Sequence, residues 1–382
     1  MNKYKKIPYL RFKDFTNDWV ERKLNDVLYE NKLIKNDTGK RLTVKLNLKG
    51  VYERENKPFE KIGITRQYVR NTGDFIYGKQ NINRGCFGIV PSHLNGYVSS
   101  IDIPSFKFNQ GFSNYFLFYK FSNFNFYDSL KYKMEGSSSK RFHVKTFLNT
   151  TLWFPNFIEQ QKIANFFLKF DNLISLYKKK LELMNHYKSY YFYALFPNGG
   201  DLARKRFYGF THKWKLVKLI EISKVKTGRK VSYHQDKNGL YPFFVFSNKP
   251  ERINSYSHDG EAVLIVGNGC NIANIHYING KFDHRNQVYK ICDSTENIKF
   301  IFYYLQSNAM QKKLLSLSQG SAINSLKPWT IKNIELLIPT NKQEQQKIVD
   351  FFSRLDENIN LLEQKIINLK KTKNYYLQKM FI

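Results

Sequence analysis

The residues best suited to chemistry in this sequence are amides and cations gathered in short stretches. Lys79, Gln80, Asn81, Asn83 and Arg84 crowd into GDFIYGKQNINRG. A second set is Asn268, Asn271, Asn274, His284, Arg285, Asn286 and Gln287, with Asn248 and Lys249 just upstream. An Asn or Gln amide can bond adenine through two atoms, and an Arg guanidinium can do the same with guanine. This is chemistry for reading base edges, not for breaking bonds. Two runs of small residues accompany the sets. One is Ser137 to Arg141, with Ser138, Lys140 and Arg141; the other is Ser321 to Ser325, with Ser321 and Asn324. Both are slim enough to let backbone amides approach a phosphate. Any single one of these positions could equally be an ordinary turn residue.

Catalytic patterns do not emerge. Gly228-Arg229-Lys230 lacks the first glycine and the hydroxyl residue of a phosphate-binding Walker loop. Gly267-x-Gly269 follows an apolar strand, but Ile272 stands where a third glycine would be, so a buried turn explains it better. None of the ten prolines adjoins another, which excludes the Asn/Asp-Pro-Pro-Tyr/Phe loop of DNA amino-methyltransferases. The eight histidines are dispersed, and no paired acids stand near a lysine as in a nuclease. Cys86, Cys270 and Cys292 have neither disulfide nor zinc spacing and fit a reducing cytoplasm. No catalytic residue and no metal ligand is assigned.

Charge points the same way as the amides. Sixty-two Lys and Arg against 31 Asp and Glu leave +31 over 382 residues. The excess is shared: 33 bases and 16 acids lie in 1–200, 29 and 15 in 201–382. Self-repulsion of this size calls for a polyanion, and nucleic acid is the first candidate. With 42% hydrophobic and 16% aromatic residues the chain can bury substantial cores. MNKYKKIPYLRFKDF has no apolar run behind its bases, and no stretch is apolar enough to span a bilayer. A cytoplasmic protein without membrane partners is expected.

The elements that must position these loops are duplicated. RFKDFTNDWVERKL from Arg11 returns as RFYGFTHKWKLVKL from Arg206, an offset of 195. EQQKIANFFLKFDNLISLYKKKL from Glu159 returns from Glu344, an offset of 185. GSSSKRFHV and WFP in the first half answer GSAINSLKP and LIP in the second. Three matches in one order mean a tandem duplication. Each half reads as a body of mixed α and β elements, opened by a Trp-x4-Leu helix and closed by Pro. GDFIYGKQN and EAVLIVGN suggest short buried strands. The tails carry a heptad seam: Ile163, Phe167, Phe170, Ile174 and Leu181 in one, and Ile348, Phe352, Leu355, Ile359, Leu362 and Ile366 in the other. The period predicts two helices wound as an antiparallel coiled coil. The expected fold is α+β, with two pseudo-symmetric bodies joined by two long antiparallel helices. The segments are 1–155 (body one), 156–200 (helix one), 201–339 (body two) and 340–382 (helix two).

Trp-x4-Leu, a body, Pro and Glu-Gln-Gln-Lys-Ile, repeated twice, resemble the specificity subunit of type I restriction–modification enzymes. Body two is especially similar to one target-recognition type, through YPFFVFSN, Asp259-Gly260, VLIVGNG, Gly280-Lys-Phe and GSAINSLKPWTIKNIELLIP; body one departs from it. The resemblance implies that each body is a target-recognition domain reading half of a bipartite site in double-stranded DNA. It implies that the helices set the spacing and dock methylation subunits, two in number, with restriction and translocation subunits joining them. S-adenosylmethionine and ATP with Mg²⁺ would then belong to those partners, with no cofactor and no catalysis in this chain. Two other classes stay in view: a standalone DNA-modifying enzyme or fusion fragment, and a purely structural coiled-coil adaptor.

Seven residues inserted after Leu181 keep the apolar seam in phase and lengthen that helix by about 10 Å. If the helices act as a ruler, the unread gap between half-sites grows by up to roughly three base pairs, at about 3.4 Å each. Sequencing of the methylated motif checks this, and an unchanged gap in an active variant counts against the ruler.

Overall fold

The computed structural model describes residues 6–35, 39–55, 66–197, 203–318 and 325–382. Each body begins at a buried tryptophan, Trp19 or Trp214. The Trp-x4-Leu stretch is not a helix. Val20–Lys23 is a strand followed by the single turn Leu24–Val27, and strand Trp214–Lys218 is followed by the turn Leu219–Ile222. A helix would turn Trp and Leu, five residues apart, to different faces. The extended form lets both reach the core and gives the backbone a distant partner. Val20–Lys23 pairs antiparallel with Thr151–Phe154, and Trp214–Lys218 with Glu335–Pro339. The strand that opens each body thus also closes it.

Two compact units result: one comprises Met1–Tyr177 with Gln364–Ile382, the other Lys178–Glu363. They cut across the four segments read from sequence, because each takes one body and a part of each long helix. In the first unit a four-stranded antiparallel sheet runs in the order Leu28–Glu30, Ser105–Phe108, Phe75–Tyr77, Phe87–Ile89. In the second, a six-stranded sheet runs Lys224–Thr227, Val288–Cys292, His258–Val266, Ile275–His284, Tyr241–Phe244, Glu251–Ile253. The expected buried strands are present: Phe75, Ile76 and Tyr77 are buried, as are Ala262 to Val266. Helices Asn114–Phe121 and Ile298–Gln306 lie at equivalent places, N-capped by the Ser113 hydroxyl and the Asn297 amide oxygen.

The tail helices are Phe157–Leu195 and Lys342–Lys379, 39 and 38 residues long. Ile163, Phe167, Ile174, Ile348, Phe352, Leu355, Ile359, Leu362 and Ile366 are buried, while Phe170 and Leu181 are half-buried. Within the first unit, Phe166 meets Tyr376 with ring centroids 5.1 Å apart, and Lys365 lies 5.7 Å over Tyr177. Within the second, Tyr191 meets Phe351 at 4.6 Å and Phe192 meets Phe352 at 4.5 Å. In the first unit partner numbers fall as helix-one numbers rise, and in the second Lys188 meets Asp356 while Phe192, further along, meets Phe352, so the pairing inside each unit is antiparallel.

The repeated motifs acquire reasons. Arg11 forks onto Glu159 with both bonds 2.7 Å, and Arg206 forks onto Glu344 at the same distances. Gln160 donates to the Pro155 carbonyl and accepts from Ser113 N–H; Gln345 does the same with Pro339 and Asn297. These helix starts are buried, with Glu159 and Gln345 at 0% exposure. A second set of bonds ties each body to both tails. Tyr119 and Lys373 meet Asp171 at 2.7 and 2.5 Å, and Tyr303 and Lys188 meet Asp356 at 3.0 and 2.5 Å.

Arg206→Ala leaves a buried carboxylate without its counter-ion and is expected to cost about 3–5 kcal/mol. Replacing both partners by apolar residues of like volume, as in Arg206→Met with Glu344→Leu, is expected to cost clearly less. Urea unfolding of both variants measures the difference.

Candidate nucleic-acid interface

In body one the backbone gathers the expected loops at one groove. Asn81 precedes a 3-10 turn, Ile82–Arg84, without capping it through its side chain. The Phe142 N–H donates to the Lys79 carbonyl at 2.8 Å, which draws the Ser137 to Arg141 run beside it. Gln80, Asn81, Asn83, Arg84, Ser139 and Lys140 line the resulting hollow of about 560 Å³. Lys131, Tyr132 and Met134 share it, and none of these three was singled out from sequence. The Gln80, Asn81, Asn83 and Arg84 side chains form no hydrogen bond among the described residues, so their donors and acceptors remain available. Ser138 is exposed beside the groove, whereas Arg141 lies 3.6 Å from Asp102. Burial lowers the Lys79 ammonium below its ordinary value, against the pull of Asp102 and Glu30.

Body two arranges its set differently. The Asn286 N–H donates to the Lys230 carbonyl at 2.8 Å, and Gly267 N–H to the Gln287 carbonyl at 2.8 Å. Asn268 donates to the Gln287 side-chain oxygen at 2.7 Å and accepts from Gly269 N–H. Arg285 lies 4.1 Å over the Phe246 ring, and its buried Nε has no hydrogen-bond partner. Asn268, Arg285, Asn286, Gln287 and the unforeseen Lys230 therefore come together. Asn271 and Asn274 play another part: their amides bond the Phe246 carbonyl at 2.7 Å and the His276 ring at 3.3 Å, holding the turn between strands. Asn248 and Lys249 are exposed in the turn that follows Phe246. Ser321 and Asn324 lie outside the described residues.

The Gly267 position is set by packing. A Cβ there would meet the Tyr289 ring at 2.3 Å and the Gln287 carbonyl at 2.7 Å. This close strand contact explains the glycine without a bound nucleotide. Among the described residues no group of three or more His, Cys, Asp or Glu could hold a metal ion, and no helix is long and apolar enough to cross a membrane.

His284, next to Arg285, is 4% exposed and neither ring nitrogen has a partner. Burial, aided by the Lys290 charge, lowers its pKa to about 4. Lys290 in turn bonds His258 at 3.0 Å, and burial lowers His258 as well.

Residues 211–371 match the "Type I restriction modification DNA specificity domain" family. The MjaVIII specificity subunit of Methanocaldococcus jannaschii is 24% identical across 93% of this chain and 90% of its own. The EcoDI specificity subunit of Escherichia coli is 29% identical over 154 residues, 40% of this chain and only about a third (34%) of that relative. The solved S subunit from M. genitalium has the same fold, with a TM-score of 0.65 at 14% identity over 98% of this chain and 99% of that one. The second half of this protein thus carries a DNA-specificity domain. Over most of its length the chain is similar to type I restriction–modification specificity subunits.

The low pKa of His284 makes the folded state resist protonation that the unfolded chain accepts near the ordinary value of 6.5. Stability should fall as pH drops from 6.5 towards 4, by about 2 kcal/mol between pH 7 and 5. Denaturant titrations at the two pH values measure it, and His284→Gln should remove most of the dependence.

Proposed function

We propose that this chain is the DNA-reading subunit of a type I restriction–modification complex and performs no catalysis itself. Body one reads one half of a bipartite duplex site, through Lys79, Gln80, Asn81, Asn83, Arg84, Ser138, Lys140 and Arg141. Body two reads the other half, through Asn268, Arg285, Asn286 and Gln287, with Asn248, Lys249, Ser321 and Asn324 as further candidates from the sequence. The observation that carries this reading is that each body gathers amides and a guanidinium in one place. Net charge of +31, spread over both halves, supplies phosphate attraction.

Partners account for the chemistry the chain lacks. Two methylation subunits using S-adenosylmethionine, and restriction and translocation subunits using ATP with Mg²⁺, assemble on the helices in the cytoplasm. The helices have apolar side chains for such docking. Leu176 and its repeat Leu361 are exposed, as are Tyr190 and its repeat Tyr375.

Binding to duplex DNA should weaken steeply with salt, the slope of log affinity on log salt reflecting the phosphates neutralised. A flat salt response overturns the assignment. Arg285→Ala should cost about 1–3 kcal/mol and relax choice at one base pair of one half-site, while Lys140→Ala should weaken all sequences alike. Titration of single-base-substituted duplexes separates the two effects.

A further inference from the structure

We propose that Tyr132 is a stacking residue that opens one base step within the half-site read by body one. The inference rests on the DNA-reading assignment above and adds to it a deformation of the duplex. Tyr132 is 82% exposed, so its ring contributes little to the core. It lines the groove with Gln80, Asn81, Asn83 and Arg84, on the turn Leu130–Lys133. Its position is prearranged. The Lys131 ammonium lies 5.2 Å over the ring and is itself held by Asp128 at 2.7 Å.

The groove divides the work chemically. Amides and guanidinium match the donors and acceptors on base edges, and Lys140 suits a phosphate. A flat aromatic face has no counterpart on those edges. It finds one on a base face, which a closed duplex hides and an opened step uncovers. Pyrimidine–purine steps, TA and CA/TG, open most easily. The half-site read by body one therefore contains such a step, and every such step includes a thymine on one strand. Stacking on the uncovered base is sequence-tolerant and strong enough to matter for affinity.

The test uses the full chain and the duplex it enriches from a random pool. Permanganate oxidises the C5–C6 double bond of thymines that have lost their stacking neighbour. The half-site belonging to body one is the one altered by Arg84→Ala. One thymine there should become reactive in complexes of the wild type and of Tyr132→Phe. Tyr132→Ala should lose that reactivity and bind roughly tenfold more weakly. Tyr208→Ala removes a tyrosine that is fully exposed, lies in the other unit and does not line this groove, and should match the wild type. Unreactive thymines in the wild-type complex, or a Tyr132→Ala chain that keeps both reactivity and affinity, would overturn the proposal while leaving DNA reading intact. A wild-type chain that enriches no duplex would instead overturn the reading on which it rests.

Discussion

Each unit depends on a helix end supplied by the other half of the sequence. Phe381, the last aromatic of the second tail, packs on Phe116 and Phe167 in the first unit at 5.3 and 5.8 Å. Phe196, its repeat in the first tail, packs on Phe300 and Phe352 in the second unit, both at 5.7 Å. A fully buried side chain of this size stabilises by about 1.5–3 kcal/mol. The Asp171 and Asp356 contacts fix the same exchange with charge, since each aspartate takes its lysine from the other tail. Neither body can complete its core from its own half alone.

That constraint separates what must stay constant from what can vary. The arginine forks, the buried glutamines and the aspartate contacts occur twice with nearly the same geometry. The sheets above them differ: one has four strands all antiparallel, while the other has six and includes the parallel pair Tyr241–Phe244 and Ile275–His284. Loops carried on sheets that differ between the halves, above contacts that are repeated in both, can vary without disturbing those contacts. The family-model match over 211–371 spans both the six-stranded sheet and part of the tail that follows it.

Periodicity made the tails legible, since a heptad seam and a repeat at a fixed offset are local signals. The buried strands around Ile76 and Leu264 were legible for a similar reason, as short apolar runs bounded by glycine. Trp-x4-Leu was misread as a helix because the strand at Val20 owes its form to a partner some 130 residues later, at Thr151–Phe154. Likewise nothing local marks Glu159 as the partner of Arg11, or separates Asn271 and Asn274, which hold a turn, from Asn268 and Gln287. Lys131, Tyr132 and Lys230 went unnoticed because they join the candidate loops through tertiary folding. For Tyr132 the available signal was an aromatic between two lysines, in a basic chain.

The central claim is that the two bodies are independent readers on a shared foundation. It is tested most directly by exchanging residues 19–155 for the equivalent body of another family member and sequencing the methylated motif of the assembled complex. The account predicts that one half-site changes while the other half-site and the gap are kept. A motif altered in both halves would contradict it.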